Sequence, residues 1–172
     1  MKRRLFICFA LVLCTQINAQ NKAEKKAEKE ANELKEYKHI QTVIDSKSFE
    51  FVADWATTQK GRRVNLLGNA NYFRIDGVNG EADLPYYGVA QTISYSGDAG
   101  INFNCEISDY EVTHNEKKKR IVIKGKASKG SENFGLTLTV YHSGKSSLYI
   151  SSSNRNSITY DGKLTKKTSK KD

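Results

Sequence analysis

Three histidines, a cysteine and a group of tyrosines are the residues with which this chain could do chemistry, and their spacing decides which chemistry is open. His39, His114 and His142 lie far apart with no cysteine or carboxylate at ligand spacing. Zinc sites draw on short-spaced ligand pairs, so no metal is expected, and no motif calls for a cofactor. Cys105 sits in the alternating run Ile101, Phe103, Cys105, Ile107, where a thiol serves as a small hydrophobe and no histidine stands ready to activate it. No nucleophile elbow or phosphate loop is present, and Gly97-Asp98-Ala99-Gly100 offers too few oxygens for calcium. Asp83 precedes Leu84-Pro85 and reads as a loop aspartate opening a turn. What remains is suited to binding: Tyr72, Tyr86, Tyr87 and Tyr95, each an apolar body with a polar tip, and Arg155 in the polar corner Asn154-Arg155-Asn156. The tyrosines would take a small amphipathic ligand, or else cap the open end of a barrel as core; Arg155 would clamp an anion bidentately, or else pair with a carboxylate of a loop such as that around Asp83.

These residues have to be positioned by strands. Residues two apart on a strand share a side, and apolar side chains recur at that period in segment after segment: Phe49, Phe51, Ala53 and Trp55 on one face, then Ile101 to Ile107, Ile121 and Ile123, and Phe134, Leu136, Leu138 and Val140. Val64 and Leu66 open a further strand and Tyr72 to Ile75 another, ending at Asp76-Gly77. The stretch from Gly77 to Gly100, with Asn79-Gly80 and the only proline, is the least regular, holding short strands such as Val89 to Tyr95. Tyr110 to His114 and Arg120 to Lys126 make a hairpin; Phe134 to Tyr141 and Ser147 to Ser151 follow, joined at Ser143-Gly144, and a last strand near Ser157 to Tyr160 closes at Asp161-Gly162. That makes about nine strands with short connections, a mainly β antiparallel meander forming a barrel or a sandwich, with closure favoured because it removes exposed edges. Before it, Asn21 to Asp45 lacks Gly and Pro, and Ala27, Ala31, Leu34, Tyr37, Ile40 and Ile44 recur at helical spacing. Its alanine-only first half has little to bury, so the segment from Leu34 to Ile44 is expected to pack on the sheet.

The start of the chain reads as an export signal. Lys2, Arg3 and Arg4 precede an apolar run from Leu5 to Cys14 and a small residue, Ala19, at the expected cut. The run is shorter than the roughly 20 residues of a membrane-spanning helix. Residues 1–19 are thus a signal peptide, 20–46 a helix, 47–162 the β domain, and 163–172 a disordered Lys-rich tail. A rival reading lipidates Cys14 and anchors the protein, although Leu13 is a poor residue to precede such a site; release to the exterior is the other alternative to the periplasm. Cleavage removes Cys8 and Cys14, leaving Cys105 without an intramolecular partner. The formal charge of +9 concentrates in the leader and the tail, whereas a nucleic-acid face would need it in the folded domain among aromatics; nucleic acid is not an expected partner.

The leader, the Lys/Glu/Ala helix, Phe49 to Trp55, Asn65-Leu66-Leu67-Gly68-Asn69, Asp83-Leu84-Pro85-Tyr86-Tyr87-Gly88, Gly97-Asp98-Ala99-Gly100-Ile101 and the ending Ser153 to Gly162 together resemble the exported bacterial domain-of-unknown-function family 4251. The resemblance implies a small exported, mostly periplasmic β protein and brings no activity, ligand or catalytic residue. The reading is therefore a binding or structural module of the cell envelope, for a small amphipathic ligand or an envelope protein. The alternative is an enzyme acting on envelope carbohydrate or lipid, which would need two carboxylates converging with their pKa values pushed apart.

Overall fold

The computed structural model describes residues 2–68, 71–89 and 100–167, with side chains from residue 22 onward. One helix, α1 (Lys2–Asp45), is followed by ten antiparallel strands: β1 (Ser48–Thr58), β2 (Arg63–Asn65), β3 (Tyr72–Asp76), β4 (Asn79–Leu84), β5 (Ile101–Glu106), β6 (Ser108–Asn115), β7 (Arg120–Lys129), β8 (Glu132–Tyr141), β9 (Lys145–Ser152) and β10 (Ile158–Lys166). Nine of them form one sheet in the order β5-β4-β3-β1-β10-β9-β8-β7-β6, with β2 paired to β1 beside that path. The meander and the single helix agree with the sequence, and the sheet curls into a nearly closed barrel.

Closure is made at one residue. The two ends of the sheet, β5 and β6, are consecutive in the chain and separated only by Ile107. The segment thus pairs with β4 before this corner and with β7 after it. Ile107 is buried, and its amide donates to the Val78 carbonyl at 2.9 Å. Its side chain occupies the places where a Cβ on Gly80 of β4 or Gly125 of β7 would lie, at 2.4 and 2.5 Å. A register shift follows at once between Ser108 and Glu111, with Asp109 at a φ of +52°, the bulge that lets a strand turn sharply.

Inside, Phe49, Phe51, Phe73, Phe103, Phe134, Leu138, Leu148, Ile158 and others join one continuous apolar cluster. Phe103 stacks on Phe134 at 5.5 Å between ring centroids and meets Phe73 edge-on at 6.3 Å. A void among Phe73, Ile75, Ile107, Ile123, Leu136 and Leu138 measures about 10 Å³, roughly the least that admits one water. Among the described residues, side chains fill the barrel interior.

The C-terminal half of α1 covers one end. Tyr37, Ile40, Val43 and Ile44 are buried, while Leu34 remains 45% exposed, so burial begins one turn later than the stripe predicts. Glu33 meets Lys119 at 2.7 Å and Glu36 meets His142 at 2.9 Å, fastening the helix to the β6–β7 and β8–β9 turns. The remainder of the described helix side chains, from Lys22 to Asn32, is exposed. Among the described residues no helix is long and apolar enough to cross a membrane.

Four sequence expectations change. Asn79-Gly80 is the start of β4, and Asp83 lies within that strand opposite Tyr72 and Asn102 rather than opening a turn. Asp161-Gly162 does not end the last strand: β10 runs to Lys166, so residues 163–166 belong to the barrel and not to a tail. Cys105 packs against the core but is only partly buried. Finally, Trp55 does not share a face with Phe49, Phe51 and Ala53: a bulge at Asp54 turns it outward and brings Ala56 inward. The strand expected around Val89 to Tyr95 falls largely outside the described residues.

Candidate functional site

The bulge on β1 sets the surface on which a site can form. Up to Val52 the strand pairs on one side with β3, and from Trp55 it pairs with β2. Ala53 stands opposite Gly162 and Trp55 opposite Asp161, leaving Asp54 as the extra residue. Gly162 is what allows this approach, since a Cβ there would lie 1.9 Å from the Val52 carbonyl oxygen. The chain's single tryptophan therefore stands on the outer face, 37% exposed, with the Arg63 guanidinium 4.6 Å from its ring centroid. Arg63 also reaches Asp161 at 3.9 Å.

Beside Trp55 an outer groove of about 690 Å³ runs over β9 and β10. Its floor includes Ser147 and Gly162, and the exposed Tyr141 stands on the opposite wall. Lys145 and Lys163 line it as well, and they are direct cross-strand partners. Neither makes an ion pair with a carboxylate among the described residues. Like charges facing each other on adjacent strands are destabilising.

The residues singled out from sequence fall in other places. Tyr72 is on the outer face of β3, where its hydroxyl donates to Glu81 at 2.6 Å and Arg74 lies 3.7 Å from its ring centroid. The bond to Glu81, and then burial, push its phenol up. Arg74 binds Glu50 as well as Glu81, so the two carboxylates that meet on this face meet across an arginine. Tyr72, Glu81 and Asp83 border a second, shallower depression of about 420 Å³.

Tyr86 and Tyr87 instead pack against the core at the barrel end opposite the helix. The Tyr86 hydroxyl donates to the carbonyls of Asn156 and Val89 at 2.9 and 3.0 Å, and burial raises its pKa. Tyr160, buried beneath them, donates to the Pro85 carbonyl at 3.0 Å, and desolvation holds its phenol far above the ordinary value. Arg155 belongs to the same end. Its Nε and Nη2 donate to the two oxygens of Glu132 at 2.7 and 2.9 Å, and its Nη1 to the Gly100 carbonyl at 2.8 Å. Burial disfavours the Glu132 charge, but the bonds from Arg155 and Ser152 outweigh it and hold the carboxyl below the usual carboxylate range. The fork read as an anion clamp thus grips a carboxylate of its own chain, on β8 rather than near Asp83. The structure joins Tyr86 to Arg155, 5.3 Å from the ring centroid, and leaves Tyr72 apart; Tyr95 lies outside the described residues. His114 and His142 each reach the helix, at Gln41 and Glu36, and no group of metal-ligating side chains forms among the described residues.

A helix-capped, side-chain-filled antiparallel barrel is the class that these features define. The family model described as a domain of unknown function, DUF4251, matches residues 31–164, and the chain belongs to that family. It is similar in fold to the crystal structure of a DUF4251 family protein from Bacteroides eggerthii DSM 20697, with a TM-score of 0.61 and 16% identity over 76% of this chain and 87% of that one. No curated protein matches the chain.

Proposed function

We propose that the protein is exported, begins at Gln20 once its leader is removed, and serves in the periplasm as a binding or structural module that works through its outer surface. The observation that carries this reading is the filled interior. Carriers of small amphipathic molecules keep a pocket of roughly 300 Å³ or more, whereas here aromatic and aliphatic side chains meet across the barrel axis. Both ends are occupied too, by Tyr37 and Ile44 of the helix and by the Tyr86, Tyr160 and Arg155 group. A small ligand or an envelope protein would therefore be met on the outside. For the hydrolytic alternative, Glu50 and Glu81 share Arg74 and Glu132 is committed to Arg155, which leaves Asp54 with Asp161, and Glu81 with Asp83, as the carboxylate pairs that border the outer depressions.

The test is mass spectrometry of the protein taken from fractionated cells of its own source, under native conditions and after denaturation. The reading expects a periplasmic chain starting at Gln20 that sheds no small molecule on denaturation. A full-length cytoplasmic chain, or a stoichiometric adduct lost on unfolding, would overturn it.

A further inference from the structure

We infer that the groove beside Trp55 is a binding site for an anionic saccharide, a sugar bearing a carboxylate or phosphate. The inference rests on the surface-binding reading and gives that surface a ligand.

The argument starts from a conflict that the fold maintains. Lys145 and Lys163 face each other across β9 and β10, in the groove, with no carboxylate paired to either among the described residues. Of the two acidic groups in the groove, Asp161 is engaged by Arg63, and Asp54 sits at the bulge on the neighbouring strand. Two lysines paired across adjacent strands can both turn toward one anion bound between them, and charge-assisted bonds of that kind are the strong ones.

The second half of the site is aromatic. Trp55 is opposite Asp161, and Lys163 is two residues further along β10, which makes it the diagonal neighbour of Trp55 at about 7–8 Å. That is close to the width of one sugar ring with its charged substituent. A pyranose has an apolar face and a rim of hydroxyls; Trp55 and Tyr141 offer flat apolar walls, and Ser147 and Asp161 offer polar partners on the floor between them. The floor is small because the outward-facing residue of β9 there, paired with Asp161, is Ser147.

A peptide fits less well. Extended peptides bind sheets by adding to an open edge, but β9, β10 and β1 are interior to the sheet and their main-chain groups are paired on both sides. Over β9, β10 and β1 recognition must come from side chains. The Arg63 guanidinium over Trp55 is held by an exposed ring contact at 4.6 Å and a long, exposed ion pair with Asp161, each worth about 1 kcal/mol or less, so a sugar can displace it from the ring face.

Because the chain has one tryptophan, its intrinsic fluorescence reports on the groove. The purified protein is titrated with a galacturonate tetramer, glucose 6-phosphate, maltotetraose, inorganic phosphate and a tetraglutamate peptide. A saturable response to the uronate or to the sugar phosphate is expected, and which of the two binds tells carboxylate from phosphate. Binding of the other three should be about tenfold weaker or less. Lys145→Ala with Lys163→Ala should lower affinity at least about tenfold while leaving the unfolding temperature near that of the parent, since both side chains are exposed. Silence toward both anionic sugars, equal binding of phosphate or tetraglutamate, or full affinity in the double variant would each overturn the assignment. The filled interior is tested separately by the native mass above, so the groove can fail while the surface reading stands.

Discussion

Phe51 and Trp55 stand four residues apart on β1 and belong to different media. Phe51 is fully buried, whereas Trp55 is 37% exposed. Truncating Phe51 to alanine opens a large cavity and should cost about 3–5 kcal/mol; Trp55→Ala should cost about 1 kcal/mol, a contrast that denaturant unfolding of the two variants measures. Glu132 and Arg155 raise a question of charge at the same scale. Their side chains are 8% and 10% exposed, and breaking such a buried pair leaves an uncompensated charge at a cost of about 3–5 kcal/mol. Because the folded-state pKa of Glu132 is depressed, the unfolded chain takes up its proton first on acidification. The pair's stabilisation is therefore fully present above the unfolded pKa, about 4.3, and is lost as pH falls through the folded value. Thermal unfolding from pH 7 to pH 3 should show Glu132→Gln less stable than the parent at neutrality, with the difference narrowing in acid; a constant difference would contradict the account.

Among elements, the decisive ones are the corner and the bulge. Ile107 fills the space that two glycines leave, one on each side of the seam between β4 and β7. Gly80→Ala alone should be destabilising by about 1–3 kcal/mol through overpacking, and Ile107→Ala alone by about 2–5 kcal/mol through a cavity. Combined, they should cost clearly less than their sum, because the new methyl occupies room that the lost side chain vacates. A strictly additive double-mutant cycle would mean that the two residues do not share the corner. Gly162→Ala tests the bulge: its methyl would collide with the β1 backbone rather than with a movable side chain, so a cost of about 3 kcal/mol is expected, with a shifted tryptophan emission as Trp55 moves.

At the scale of the whole molecule, most of the architecture was legible because strand period and turn chemistry are local. The alternation of Ile121, Ile123, Phe134, Leu136, Leu138 and Val140, and the turns at Asp76-Gly77 and Ser143-Gly144, lead directly to the observed strands. Period two fails where a single extra residue is inserted: nothing between Ala53 and Trp55 marks Asp54 as a bulge, and one residue inverts every side chain that follows. The candidate groove was hidden for that reason, since it takes Trp55 from the wrong side of the expected pattern and Lys163 from an expected tail. Gly162 was the one available signal, a glycine inside what became a strand, which marks a bulge or a close backbone approach. The partnership of Arg155 with Glu132 spans 23 residues and two turns, and a lone arginine in a polar corner does not name its carboxylate. The central claim, that this barrel is filled and acts from its outer face, is tested most directly by a crystal structure of the protein purified from its own source. The account predicts continuous side-chain density from Phe73 through Phe103 and Phe134 to Leu138, with nothing else between them. An elongated apolar molecule there, or a cavity of several hundred Å³, would contradict it.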